Sequence, residues 1–306
     1  MLDVRRLRTL REVALHGTIR AASEALSFTP SAVSQQLGAL ERELGYDLLE
    51  RRGRSVHLTP AGLLLVERAE GILAQLAEAE AEAKALAGGS EPAVRIASFA
   101  SAAATIVADA VSENRLAAHI LEADPRIGLA RLRGGEVDVA ILWEYDFVPL
   151  RPSGAIELVH LFDDPIHVVL PRSHPAAAEP TLELAALADE PWINSTGASS
   201  CHPFVPRACL VAGFEPRIVA ETNDHRTLHH LIASGVGLAL IPLLSQLDLP
   251  SSLVARSIRT NPPKRRIHAA YRRASANDTR VRLVLERLEE AAARRPGVLA
   301  LVEAGA

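Results

Sequence analysis

The sequence predicts an all-α N-terminal segment in winged helix-turn-helix order, a long linker helix, and an α/β C-terminal region. Three observations carry this. Three short helical patterns, each opened by a capping residue, lead into two short strand patterns around an arginine-rich turn. One uninterrupted helical pattern then runs from Ala61 to about Ala87. Beyond Pro92, strand patterns alternate with helical stretches, the signature of α/β folds. A chain of 306 residues also exceeds the size at which one core stops growing. The expected segments are 1–59, 60–89 and 92–306.

In the first segment, Asp3 caps a helix with Val4, Leu7, Leu10 and Ala14 on one face and Gly17 at its end. Thr18 caps a second, apolar at Ile19, Ala22, Ala25 and Leu26, which closes at the turn Ser27-Phe28. Thr29 caps a third, with Pro30 at its first position, an apolar side of Val33, Leu37, Leu40 and Leu44, and Gly45 as its stop. Leu48–Glu50 and Val56–Leu58 read as two strands joined by Arg51-Arg52-Gly53-Arg54-Ser55, a wing. Thr59-Pro60 opens the long helix, whose stripe of Leu64, Leu65, Ala69, Ile72, Leu73, Leu76 and Ala83 predicts a partner helix from a second copy. Leu65, Ile72 and Leu76 have no evident room in so small a head. Further on, strands are expected near Val94–Ser98, Leu116–Leu121, Val137–Leu142, Ile166–Leu170, Arg217–Glu221, Leu238–Ile241 and Ile267–Tyr271.

Composition narrows the function. Hydrophobic residues make up 48% and charged residues 23%, an ordinary globular balance, and a net charge of −4 requires any nucleic-acid surface to be local. No apolar run approaches the roughly 18 residues of a membrane span, and the N-terminus lacks a leader pattern, so a cytoplasmic protein is expected. There is no G-x-S-x-G elbow, Walker loop, G-x-G-x-x-G after a strand, or H-E-x-x-H, so neither an enzyme nor a cofactor is indicated. His225, His229 and His230 leave surface histidines or a metal site open, the former being the simpler reading.

The run Gly17–Leu26, then Ala32-Val33-Ser34-Gln35-Gln36-Leu37, Leu40-Glu41, Leu44-Gly45, Leu48, Arg51 and Leu58–Gly62, strongly resembles the LysR-type regulator family. The likeness continues through Gly134–Ile141, His174-Pro175 and Gly235–Pro242, and so covers nearly the whole chain. It implies a DNA-binding head, a dimerising linker helix, and a sensor of two α/β lobes like periplasmic binding proteins. Lobe I would comprise about 92–162 and 267–306, lobe II about 163–266, with dimers or tetramers on double-stranded DNA and a small-molecule effector. Three departures stand out: Pro30-Ser31 where the family often has Gln-Pro or Gln-Ser, Leu49 where Phe is usual, and an apparently short first sensor helix before Ser112–Arg115.

Candidate site residues follow. The N-terminal part of a recognition helix enters the major groove, which points to Thr29, Pro30, Ser31, Ser34, Gln35 and Gln36, with Gln35 the best reader because its amide pairs bidentately with adenine. Arg51, Arg52 and Arg54 suit phosphate or narrow minor groove, and Arg20 suits phosphate or plain solvent. In open α/β sheets ligands bind beyond strand C-termini, which selects Ser98, Phe99, Ser101, Trp143, Asn194, Ser195, Thr196 and Asn223 for a polar or anionic effector rather than a large apolar cage. Some members of the family sense peroxide through two cysteines. Cys201 beside His202, with Cys209, therefore reads either as a redox pair or, more simply, as buried small residues.

Overall fold

The computed structural model describes residues 2–52, 55–86, 93–112, 116–146, 148, 150, 154–197 and 199–294. The head is built as its punctuation dictates. Helices α1 (Val4–His16), α2 (Ile19–Leu26) and α3 (Pro30–Leu44) start at Asp3, Thr18 and Thr29, whose side-chain oxygens accept from the N–H groups of Arg5, Ala21 and Ala32. Gly17 and Gly45 end α1 and α3 in the left-handed conformation that glycine adopts without a Cβ penalty. Leu10, Val13, Ala22, Val33, Leu37, Leu40 and Leu48 close one core. Strands β1 (Leu49–Arg52) and β2 (Ser55–Leu58) pair antiparallel, each reaching past the expected limits. Glu41 Oε1 accepts from the N–H groups of both Leu48 and Leu49, so the recognition helix itself anchors the hairpin. Arg54 lies outside the described residues, as do the side chains of Arg51 and Arg52.

Helix α4 (Pro60–Leu86) is the expected long helix, but its apolar stripe is divided. Leu65 and Val66 pack into the head core and Ala69 is fully buried, because the first turns of α4 lie against α1. The expectation that Leu65 has no place in the head is therefore corrected. Leu64, Ile72 and Leu76 remain 55%, 38% and 42% exposed.

The remainder is α/β. Strands β3 (Val94–Ser98), β4 (Ala118–Glu122) and β5 (Val139–Tyr145) form a parallel group in the order β4-β3-β5, and β12 (Lys264–Arg272) joins β5 antiparallel. The main departure from expectation is β6 (Ile156–Pro171), which runs far beyond Ile166–Leu170. Its first half pairs with β12; its second half pairs with β10 (Ala239–Pro242) and β11 (Leu253–Ile258). Asp163-Asp164-Pro165 looks like a break in the sequence, yet Lys264 and Arg265 of β12 neutralise the two carboxylates and let the strand continue. Strands β6 and β12 are thus the shared spine of two lobes. The second lobe adds the two-residue β7 (Thr181–Leu182) beside β11, and the parallel pair β8 (Pro191–Asn194) and β9 (Arg217–Glu221). The first sensor helix is not short. Helix α5 (Ala100–Ala102) continues through a π-helical segment, Ala103–Val107, into α6 (Ala108–Ser112). The other helices are α7 (Pro125–Arg133), α8 (Phe204–Val211), α9 (His225–Ala233) and α10 (Thr279–Ala293).

Head and first lobe meet through charge. Arg11 of α1, only 1% exposed, donates to Glu12 at 2.6 Å and to Glu136 just after α7, which also receives Arg131. Arg126 donates to the Leu15 carbonyl at 2.8 Å.

Candidate functional site

Two regions gather the candidate residues. On α3, the side chains of Ser31, Ser34 and Gln35 are exposed along one face, beside Pro30. Thr29 is committed to capping, with its hydroxyl 3.0 Å from that of Ser31. Gln36 is drawn inward instead: its Oε1 accepts from the buried Thr9 hydroxyl at 2.5 Å, which ties α3 to α1 and removes Gln36 from the open face. Arg20 is exposed, with its Nε 3.2 Å from Glu24.

The second region is a cavity of about 440 Å³ between the lobes, within the range of small-ligand sites. Phe99, Ser101 and Trp143 come from the first lobe; Asn194, Ser195 and Asn223 come from the second. Two expected residues are not among those lining it. Ser98 is 1% exposed and bonds the Phe99 carbonyl, while Thr196 is joined to Asn223 by two hydrogen bonds of 2.7 and 3.0 Å that pin their loops together.

Sequence reasoning missed the residue at the centre of this wall. Arg265, 3% exposed, donates from Nε to the fully buried Asp164 at 2.6 Å and from Nη2 to Ser101 Oγ at 3.0 Å. Its guanidinium lies 4.9 Å from the Phe99 ring centroid and 5.6 Å from that of Trp143. Burial by itself would lower the Arg265 pKa, but Asp164, together with Tyr145 and Cys201, outweighs it and raises the pKa. Phe99 meets Trp143 edge-on at 4.5 Å, and Tyr145 stacks on Phe204 at 4.3 Å. The aromatic share of the wall comes from the expected Phe99 and Trp143, joined by Tyr145 and Phe204. The Lys264-Arg265-Arg266 run was the available signal, but nothing in it tells which guanidinium turns inward.

Neither thiol is activated. Burial pushes the Cys201 thiol up, against opposing hydrogen bonding from Tyr145, whose hydroxyl is 3.3 Å from the sulfur. Burial pushes Cys209 up to about 12. His202 Nδ1 donates to the Ser195 carbonyl at 2.7 Å and so is engaged away from the neighbouring thiol. Among the described residues, no group of three or more His, Cys, Asp or Glu side chains is placed to hold a metal ion.

Comparison with known proteins decides the family. Residues 4–63 match the bacterial regulatory helix-turn-helix protein model of the lysR family, and residues 87–293 match the LysR substrate binding domain. The chain belongs to the LysR family of transcriptional regulators. It is a DNA-binding regulator with an effector-binding domain, and not an enzyme. This LysR-type regulator is 30% identical over 236 residues to the small neutral protease regulatory protein of Streptomyces coelicolor strain A3(2), covering 76% of the chain and 71% of that protein. It is 29% identical over 287 residues to the RuBisCO operon transcriptional regulator of Allochromatium vinosum, covering 89% and 90%. Among solved structures, the Corynebacterium glutamicum OxyR C206 mutant superposes with a TM-score of 0.60 at 27% identity, over 99% of this chain and 94% of that one. No helix of the regulator among the described residues is long and apolar enough to cross a membrane.

Proposed function

We propose that this regulator works in the cytoplasm as a homodimer or homotetramer, reads double-stranded DNA with 1–59, assembles through 60–89, and takes its effector with 92–306. Ser31, Ser34 and Gln35 face base edges and phosphates, and the wing arginines Arg51, Arg52 and Arg54 supply groove or backbone contact. The effector is a small polar molecule in the cavity between the lobes.

The observation that carries the effector reading is the buried polar wall. Ser101, Arg265 and Asn194 come from different elements and converge on one enclosed space that also has aromatic sides. Phe99 and Trp143, packed edge to face, give that space an apolar side against which a ligand body packs. The peroxide-sensing alternative for Cys201 is not favoured, since burial disfavours the thiolate that such a reaction needs.

The test is twofold. Selection of bound sequences from a random duplex library should yield a motif with the full chain, and Gln35→Ala should lose preference at one position of it. Soaking the full chain in fractionated small-molecule extracts, followed by mass spectrometry of retained compounds, should recover a ligand that Ser101→Ala with Asn194→Ala no longer retains. Equal retention by the double variant would refute the cavity as the effector seat.

A further inference from the structure

The charges and open hydrogen-bonding groups in the cavity bear on which kind of molecule fits it. Among the described residues lining it, Arg265 is the one guanidinium, and its charge is already balanced by Asp164, which is fully buried and also accepts from the Leu244 N–H at 3.0 Å. The other charged lining groups are acidic: Glu122, at the exposed end of β4, and Asp124, the cap of α7. Asp124 bridges the lobes, its Oδ2 accepting from the Ser200 N–H at 2.9 Å and its Oδ1 from the Ser200 hydroxyl. The donors that the Ser199–Cys201 turn would offer an incoming anion are therefore occupied: the Ser200 N–H by Asp124, and the Cys201 N–H by Ser199 Oγ at 3.2 Å.

Asn194 supplies an independent observation. It lines the cavity, is 3% exposed, and its Oδ1 is buried with no hydrogen-bond partner. The orientation of its amide is fixed, because Nδ2 donates to the His202 carbonyl at 3.1 Å and a carbonyl can only accept. Moreover, the His202 ring directs its own Nδ1 proton to Ser195. A buried acceptor without a donor costs free energy that a ligand N–H can recover. Asn194 Oδ1 is thus a buried acceptor in the cavity wall that is still open to a donor.

We infer that the effector carries an ammonium group, which donates to Asn194 Oδ1 and pairs with Asp124, on a flat apolar body that packs against the Phe99 and Trp143 side. This rests on the reading of the cavity as the effector seat, and it narrows the expected polar or anionic class to cationic or zwitterionic amines. A free carboxylate facing Asp124 and Glu122 would meet like charge in a partly enclosed space.

Three probes that share a phenylethyl body test it with the full-length chain at neutral pH: 2-phenylethylamine, 3-phenylpropionate and 3-phenylpropionamide, each titrated by calorimetry. The amine should bind at least tenfold more tightly than the amide, with no detectable binding of the carboxylate. Asp124→Asn should weaken the amine at least tenfold. Asn194→Ala, which removes the orphan acceptor, should weaken it. Asp146→Asn, outside the cavity, should change nothing. Preferential binding of the carboxylate, or binding of none of the three, overturns the inference. Ser195→Trp, which fills the cavity, separates the two layers of the argument. If the carboxylate binds and Ser195→Trp abolishes it, the seat stands and the ammonium assignment falls; if any probe binds unchanged in Ser195→Trp, the seat itself is wrong.

Discussion

Arg11 offers the most demanding test of how the head is held. Its guanidinium is almost fully buried between Glu12 of its own helix and Glu136 of the first lobe. Arg11→Met keeps most of the apolar stem and removes the charge, leaving Glu12, whose side chain is 3% exposed, with only His16 at 3.4 Å. Removing one partner of a buried pair costs about 3–5 kcal/mol, because the other charge stays buried without compensation. Glu136 retains Arg131 and is 24% exposed, which relieves part of the loss and favours the lower end, about 3 kcal/mol. Urea titration of the full chain, followed by hydrogen exchange in α1 and α7, reads this directly. Both elements should lose protection together, whereas the strands of the second lobe keep theirs. A loss within about 0.5 kcal/mol, the range of a surface substitution, would refute the argument. The pH dependence follows from Glu136. Burial pushes its carboxyl up, but Arg11 and Arg131 outweigh this and hold it below the ordinary value of 4.5. A depressed folded-state pKa gives stability that is complete above the ordinary value and is lost as pH falls through the lower one. The contact should therefore hold at neutral pH and loosen in acid below about 4.5.

Four further outcomes are expected. Gln35→Ala should relax preference at one operator position by about 1–3 kcal/mol, whereas Arg20→Ala should weaken every sequence alike if it meets phosphate, lowering the salt slope by about 0.9, in parallel binding titrations. Ile72→Glu with Leu76→Glu should give a monomer by light scattering and abolish operator binding, since both residues are exposed on α4 while Leu65 is not. Gly62→Ala should destabilise the head by about 1–3 kcal/mol in thermal melts, since a Cβ there would lie 2.2 Å from the Leu48 carbonyl oxygen. Cys201 should stay reduced in mild hydrogen peroxide by intact-mass spectrometry, because its thiol is pushed up by burial; rapid sulfenic acid formation would show otherwise.

The head was legible almost residue by residue because local chemistry decides it. Asp3, Thr18 and Thr29 cap, Gly17 and Gly45 stop, and these choices need no distant partner. The cavity was legible only in outline. Strand C-termini pointed to Phe99, Ser101, Trp143, Asn194, Ser195 and Asn223, all of which line it. Arg265, Asp164 and Asp124 escaped because their meaning lies in contacts between residues far apart in sequence, such as Arg265 with Asp164 or Asp124 with Ser200. Gln36 shows the reverse: it shares the polar face of a helix on paper, but Thr9 claims it from another helix. The same reasoning explains β6, whose acidic middle reads as a loop until β12 supplies the cations.

Where the head is attached limits how an effector can act. The contacts of Arg11 and Arg126 join α1 to α7 and Glu136, all in the first lobe, and Arg133 of α7 lies 4.0 Å from Glu70 of the linker helix. The second lobe is joined to the first through β6 and β12 and, at the cavity, through Asp124 with Ser200 and Tyr145 with Cys201 and Phe204. The cavity touches this attachment directly: Asp124 lines it and caps α7, its Oδ1 accepting from the Arg126 N–H at 3.0 Å, and Arg126 in turn donates to the Leu15 carbonyl of α1. The effector proposed to pair with Asp124 would act on the element that holds the head of its own chain, and ligand affinity and DNA affinity must then be linked reciprocally. Weakening the Asp124 bridge with Ser200→Ala, which removes the hydroxyl donor and leaves the Ser200 N–H in place, should change the affinity of a single head for a half-site. A footprint that changes while half-site affinity stays constant would place the signal between copies instead.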